Sequence, residues 1–424
     1  MDSWIVKMLN SERARKLGIY LLLVFWILSA IAAVYRQLGG VSGGAADFYE
    51  FYMVSQSFLY GGDHSNVITQ TYPPFFQLLL WPFSWLPLWL ASFLWFMFCS
   101  WMAYLSVKIM YRIVNPEQKP LPRIYFGVPV LMVVTLFLND LVMGNVNLII
   151  LFTIVSGLYW FLQQRPYRSG VFLAMGASTK ILPFLFILYF LYKRQYRVVV
   201  AAFLGIILFS LLLPPVFLGD KGVDIVTDWG ERISNIVGQS NDDVSGRWYE
   251  RDDMLTASNQ SLYAFLSRYM RDIPGVYGDE DTRINVVSLG VDAVNMIFYF
   301  LVMLLAMYLA YLLRHKLEPV SHANRYILEY SIMVVTLLVV SPLAWTNYYL
   351  FLVIAYFALF HQLRLIEKKS YLYRVLPRYF LFVFVLGIVT AIPYISAFGI
   401  PFLALLTVMG MLMWALRYTT IKTI

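Results

Sequence analysis

"GASTKILP", residues 176–183, lies in the middle of an apolar run, 169–192, that is long enough to cross a bilayer. How it is read decides how often the chain crosses. Basic residues flank both ends of the run: Arg165 and Arg168 before it, Lys193, Arg194 and Arg197 after it. A single crossing would leave one of these clusters on the wrong side by the positive-inside rule. Lys180 sits at mid-depth, where a charge costs about 2.5–3.5 kcal/mol on insertion scales. Pro183 lacks the N–H that a continuing helix uses. A helical hairpin that enters and leaves from the cytoplasm, with Lys180 near its tip, reconciles all three. At 1.5 Å per residue, arms of roughly 13–15 residues reach about 20 Å, carrying Lys180 toward the outer half of the bilayer. An ordinary crossing helix with a snorkelling lysine is the competing reading.

The rest of the chain has the same character. Over 424 residues it is 60% hydrophobic and 13% charged, where soluble domains carry about 25% charged residues. An all-α polytopic membrane protein is expected, organised as a single transmembrane domain over 1–424. Full-length spans are read near 17–35, 86–107, 124–140, 146–163, 196–218, 290–313, 326–343, 347–363, 379–396 and 399–416. With the two hairpin arms that makes about twelve helices in total. The net charge of +8 lies in connections between spans, such as Lys108, Arg112, Lys119 and Arg123, or Arg364, Lys368, Lys369, Arg374 and Arg378. That is a topology signal, and it excludes a nucleic-acid partner as the cause of the charge. Lys7, Arg13, Arg15 and Lys16 put the N-terminus in the cytoplasm, and Arg417 and Lys422 do the same for the C-terminus. The loops 37–85 and 219–289 then face outward, the second rich in Asp220, Asp224, Asp228, Asp242 and Asp243. The lone cysteine, Cys99, excludes disulfides, and four scattered histidines offer no zinc spacing. No metal or other cofactor is expected.

Polar residues collect in four outward stretches. "GGAADFYEFY", 43–52, places Asp47 before a run of aromatics, and 48–60 reads as a helix lying at the interface, stopped by Gly61-Gly62. The other three are "NDLVMGNVN" (139–147), "SNQSLYAFLSRYMR" (258–271) and "SPLAWTNYY" (341–349). Each has a plain explanation: a solvated Asp47, Asn145 and Asn147 as helix caps, Arg268 and Arg271 as headgroup contacts. Their convergence on one face points further. An anionic lipid phosphate at the outer interface would be bound by Lys180 and Arg268. A nearby carboxylate would take a proton from an incoming hydroxyl, while the basic groups stabilise the departing phosphate. Together these describe sugar transfer from a polyprenyl-phosphate donor by single displacement, hence with inversion. The partners are that donor, a glycolipid or glycan acceptor, and membrane lipids. Tyr49, Tyr52, Trp248 and Tyr249 are candidates for stacking on sugar rings, or for interfacial anchoring. A flippase for lipid-linked sugars is the alternative, since transporters also use broken helices at mid-depth.

In ordered motifs from Asp47 to Tyr349 the chain resembles the GT-C glycosyltransferases, and within them glycosyltransferase family 87. The motifs are Asp47 with Tyr72-Pro73-Pro74; Gly144-Asn145-Val146-Asn147, with Asn145 in place of the usual Gln; and Gly176, Lys180 and Pro183. They continue with Asn259-Gln260-Ser261 and Arg268, then Ser341-Pro342 through Trp345, Asn347, Tyr348 and Tyr349. The resemblance implies a GT-C fold in an integral plasma-membrane enzyme whose active site is on the outer face, with mannose first among the sugars. It implies Asp47 as general base and Lys180, Arg268 and Asn347 in the donor-phosphate site. Tyr49, Tyr72, Asn145, Asn147, Asn259, Gln260, Trp345 and Tyr348 are the implied substrate contacts. Asn347 stands where the family often has His, so a charged contact at that position does not carry over.

Overall fold

The computed structural model describes residues 12–40, 47–60, 72–119, 121–122, 124–238, 255–273, 283–315, 322–366, 371–389 and 393–421. The backbone packs as two compact units, Met1–Gly238 and Gln239–Ile424. Apart from one isolated β-bridge, the regular structure among the described residues is helical.

The first unit opens with α1 (Glu12–Gly40), a long apolar helix that meets protein along one strip: Trp26 donates to Ser100 Oγ at 3.0 Å, and Ala30, Ala33 and Gln37 are buried. Then follow α2 (Asp47–Tyr60), α3 (Pro74–Ser84) and α4 (Leu88–Val114). Pro73 and Pro87, both extended, precede α3 and α4, where a fixed φ and a missing N–H cost nothing. Helices α5 (Ile124–Leu131) and α6 (Val134–Met143) are bent by 49° at residues 132–133. The break follows Pro129, which cannot donate to the helix ladder. Gly144 then stops α6 with φ 73°: its N–H bonds to Leu141 O, and Asn145 N–H to Asp140 O, a Schellman closure. Helix α7 (Asn147–Leu162) starts three residues after that glycine.

The apolar run 169–192 is broken where expected. Helix α8 (Pro166–Thr179) ends at Lys180, which is extended (φ −153°, ψ 135°), and α9 (Phe184–Tyr192) begins after Pro183. At 14 and 9 residues neither helix alone reaches the roughly 20 a span needs. Gly176 lies so close to Thr153 and Pro183 that a side chain there would collide with both. Helix α10 (Tyr196–Ile206) passes through a π-helical turn, Ile207–Leu212, into α11 (Leu213–Leu218), where Pro214 and Pro215 cannot donate in the α pattern. An amphipathic helix, α12 (Asp220–Gly238), closes the unit.

The second unit holds α13 (Leu262–Met270), α14 (Val291–Leu312), α15 (Ala323–Val340), a 3₁₀ turn (Thr346–Leu352) running into α16 (Val353–Leu365), α17 (Tyr371–Val389), α18 (Pro393–Ala397) and α19 (Ile400–Ile421). Helices α15 and α16 form its interior, whereas α14 is largely exposed.

This is an integral, multi-pass, all-α membrane protein. Among the described residues seven helices are long and apolar enough to cross, or eight if α5 and α6 form one span. Among the described residues fewer than the expected ten full spans meet that length and composition. Segment 124–140 is the bent pair, and 146–163 is the 16-residue α7, shortened by the glycine stop before it. Segment 379–396 falls on α17, which starts earlier because the helix continues through Arg374, Pro377 and Arg378.

Candidate active site

In the first unit the polar residues around the Gly144 turn form one connected group. Asp47 is the first described residue of α2, and Asn145 Nδ2 donates to its Oδ2 at 2.7 Å. Asn145 Oδ1 in turn accepts from Val146 N at 2.7 Å, which fixes the amide's orientation. Among the described residues only Asn145 donates to the Asp47 carboxylate.

The start of α2 is anchored from α1: Gln37 Oε1 accepts from Tyr49 N at 2.8 Å, and Gln37 Nε2 donates to Met143 O at 3.0 Å. Gln37 thus ties three elements to the turn. Phe48, fully buried, stacks on Trp95 at 5.3 Å, and Trp95 Nε1 donates to Gly144 O at 2.8 Å.

Lys180 reaches the same region from the α8–α9 break. Its Nζ donates to Asn147 Oδ1 at 3.1 Å and lies 5.3 Å from the centre of the Tyr72 ring, a cation–π contact. Asn147 Nδ2 donates to Asp140 Oδ1 at 2.8 Å. Burial lifts the Asp47 pKa above the ordinary 3.8, against the opposing Asn145 hydrogen bond and the charges of Lys180 and Arg36. Burial and the Asp47 charge push Glu50 up as well.

The structure therefore joins Asp47 to Asn145, and Asn147 and Tyr72 to Lys180. Tyr49 enters through its backbone, with a half-buried ring. Asp140 and Gln37 were missed. The available signals were a carboxylate seven residues before Asn147 across a glycine stop, and a glutamine at the end of an apolar helix.

The second unit assembles the other motifs around backbone. Asn259 pairs with Trp345 as an isolated antiparallel bridge, and Gln260 N donates to Ala344 O at 2.8 Å. Asn259 Oδ1 accepts from Ala344 N at 3.1 Å, while Asn259 Nδ2 and Ser261 Oγ donate to Pro342 O at 3.2 and 2.8 Å. Ser261 also caps α13. Gln260 Nε2 reaches Ser396 O at 2.7 Å, and Tyr349 donates to Gln260 O at 3.0 Å. Arg268, 1% exposed, donates through Nη1 to the carbonyls of Leu255, Thr256 and Asn259. Asn347 and Tyr348 are buried in the 3₁₀ turn, and Trp345 is half-buried before it. Trp248, Tyr249 and the Gly61-Gly62 stop lie outside the described residues.

The sequence profile of glycosyltransferase family 87 matches residues 71–342, which take in the Lys180 break, the Asn259–Ser261 turn with Arg268 on α13, and the Ser341-Pro342 motif. The chain belongs to glycosyltransferase family 87. It is 24% identical over 238 residues to a polyprenol-phosphate-mannose-dependent alpha-(1-2)-phosphatidylinositol mannoside mannosyltransferase of Mycobacterium tuberculosis, a match covering 50% of this chain and 54% of the relative. This family 87 chain thus spans about half the length of the curated relative it matches. No solved structure matches it.

Proposed function

We propose that this membrane glycosyltransferase moves a sugar, mannose first, from a polyprenyl-phosphate donor to a hydroxyl of a glycolipid or glycan acceptor on the non-cytoplasmic face. The relative's name supports the donor, the sugar and the glycolipid class of acceptor. The observation that carries the reading is Asp47, held at one oxygen by Asn145 and, among the described residues, without a second donor at the other, in the same cluster as Lys180. In this scheme the second carboxylate oxygen takes the proton of the acceptor hydroxyl as the hydroxyl oxygen attacks the anomeric carbon. The bond from that carbon to the phosphate oxygen breaks, and the electron pair leaves with polyprenyl phosphate. Lys180 meets the charge developing on the phosphate. Attack opposite the leaving group in a single step inverts the anomeric centre, and no metal takes part. Arg268 gives Nη1 to three carbonyls and so holds the loop that carries Asn259 and Gln260, and its guanidinium joins Lys180 in the donor-phosphate site of this scheme.

The test is transfer from a panel of polyprenyl-phosphate sugars to membrane acceptors, comparing wild type with Asp47→Asn. The substitution is expected to lower turnover by about 10²–10⁴-fold, the usual worth of a general base, while donor binding is kept. Wild-type transfer from none of the donors would overturn the reading.

A further inference from the structure

Asp140, on α6, is fully buried, so substrate does not reach it, yet it is one step from Lys180. The Gly144 stop turns the chain back so that Asp140 and Asn147 meet, with Asn147 Nδ2 at 2.8 Å from Asp140 Oδ1. The Leu148 backbone N–H lies beside the same carboxylate. On its other side, Asn147 Oδ1 accepts from Lys180 Nζ at 3.1 Å. An ionised carboxylate only accepts hydrogen bonds and an ammonium only donates them. Asn147, between the two, turns its oxygen to the ammonium and its nitrogen to Asp140 Oδ1, the orientation in which every donor meets an acceptor.

We propose that Asp140 is a positioning residue: it locks the Asn147 amide so that its oxygen holds the Lys180 ammonium in place for the phosphate of the lipid-linked donor. This rests on the function proposed above. The arrangement also has an electrostatic logic. A carboxylate placed directly on Lys180 would cancel much of the charge that phosphate binding uses. A neutral amide between Asp140 and Lys180 fixes the geometry of the ammonium through hydrogen bonds.

Asp140 also serves the first turn of α7 through Leu148, and a purely capping role must be separable from the positioning one. Asp140→Asn separates them. It keeps the size of the side chain and its reach to the start of α7, but an amide meets Asn147 with either its oxygen or its nitrogen, so the one-way constraint is lost. The probe is polyprenyl phosphate alone, bound at equilibrium to the purified full-length protein, with acceptor KM and thermal midpoint measured beside it. Asp140→Asn is expected to weaken polyprenyl-phosphate binding about tenfold, the scale of one hydrogen bond to a charged group, with acceptor KM and midpoint unchanged. Asn147→Ala should weaken polyprenyl-phosphate binding by a similar factor, and neither loss should add to that of Lys180→Gln.

Additive losses in the Lys180→Gln background, equal losses for phosphate and acceptor, or unchanged phosphate binding would each overturn the proposal. Should Asp140→Asn fail to fold, Asn147→Ala in both backgrounds decides between the same outcomes. If wild type transfers from no polyprenyl-phosphate donor, the functional reading falls and takes this one with it. If it transfers and the losses are additive, only this one falls.

Discussion

Asp47 combines burial with one fixed hydrogen bond, and its raised pKa sets an expectation for pH dependence. Only the ionised carboxylate accepts a proton, so kcat/KM for the acceptor should climb as pH rises, with a midpoint above 3.8 that Asp47→Asn removes. The stability sign runs the other way. Because folding disfavours the charged form, the Asp47 contribution is greatest at low pH and is lost as pH rises through the folded pKa. Asp47 and Lys180 were legible because a charge beside or within an apolar run demands a reason. Asp140 was not, since an acid next to a turn reads as solvated until the fold closes over it. The residues of the second unit show a different limit. Sequence reveals that Asn259, Gln260 and Arg268 are polar, but not that the partners they hold are backbone carbonyls and amides.

The decisive elements are two interruptions. The break at Lys180–Pro183 was readable from a proline and a mid-run charge, and the two helices flank it as expected. The Gly144 turn was readable only as a motif, because its tightness comes from a neighbour. A Cβ on Gly144 would stand 2.5 Å from Phe48 Cβ, on top of an unfavourable φ of 73°. Gly144→Ala is therefore expected to cost about 1–2 kcal/mol from the backbone alone, and more from the collision with α2. A lowered thermal midpoint in detergent, with transfer activity falling alongside, checks this. Span boundaries were the least legible feature. Hydropathy averages over a bend such as that between α5 and α6, and it places helix ends by charge where α17 runs straight through Arg374 and Arg378.

Across the whole molecule the apolar character was plain from composition, and so was the class of protein. Sidedness is testable because Cys99 is 1% exposed and leaves a silent background for labelling. A membrane-impermeant maleimide should label Val286→Cys, a 78% exposed site, in intact cells, and Glu117→Cys only after permeabilisation. The reverse pattern would put Asp47 on the cytoplasmic side. Burial also differs sharply between spans, from 83% in Thr346–Leu365 to 11% in Lys16–Gly39. The first helix meets protein through Trp26, Ala30, Ala33 and Gln37, one narrow stripe four, three and four residues apart. Over the exposed apolar part of its circumference one apolar side chain serves as well as another. Random drift is therefore almost unopposed on that surface, and descendants of this gene should lose resemblance there first while the glutamine near its end stays put.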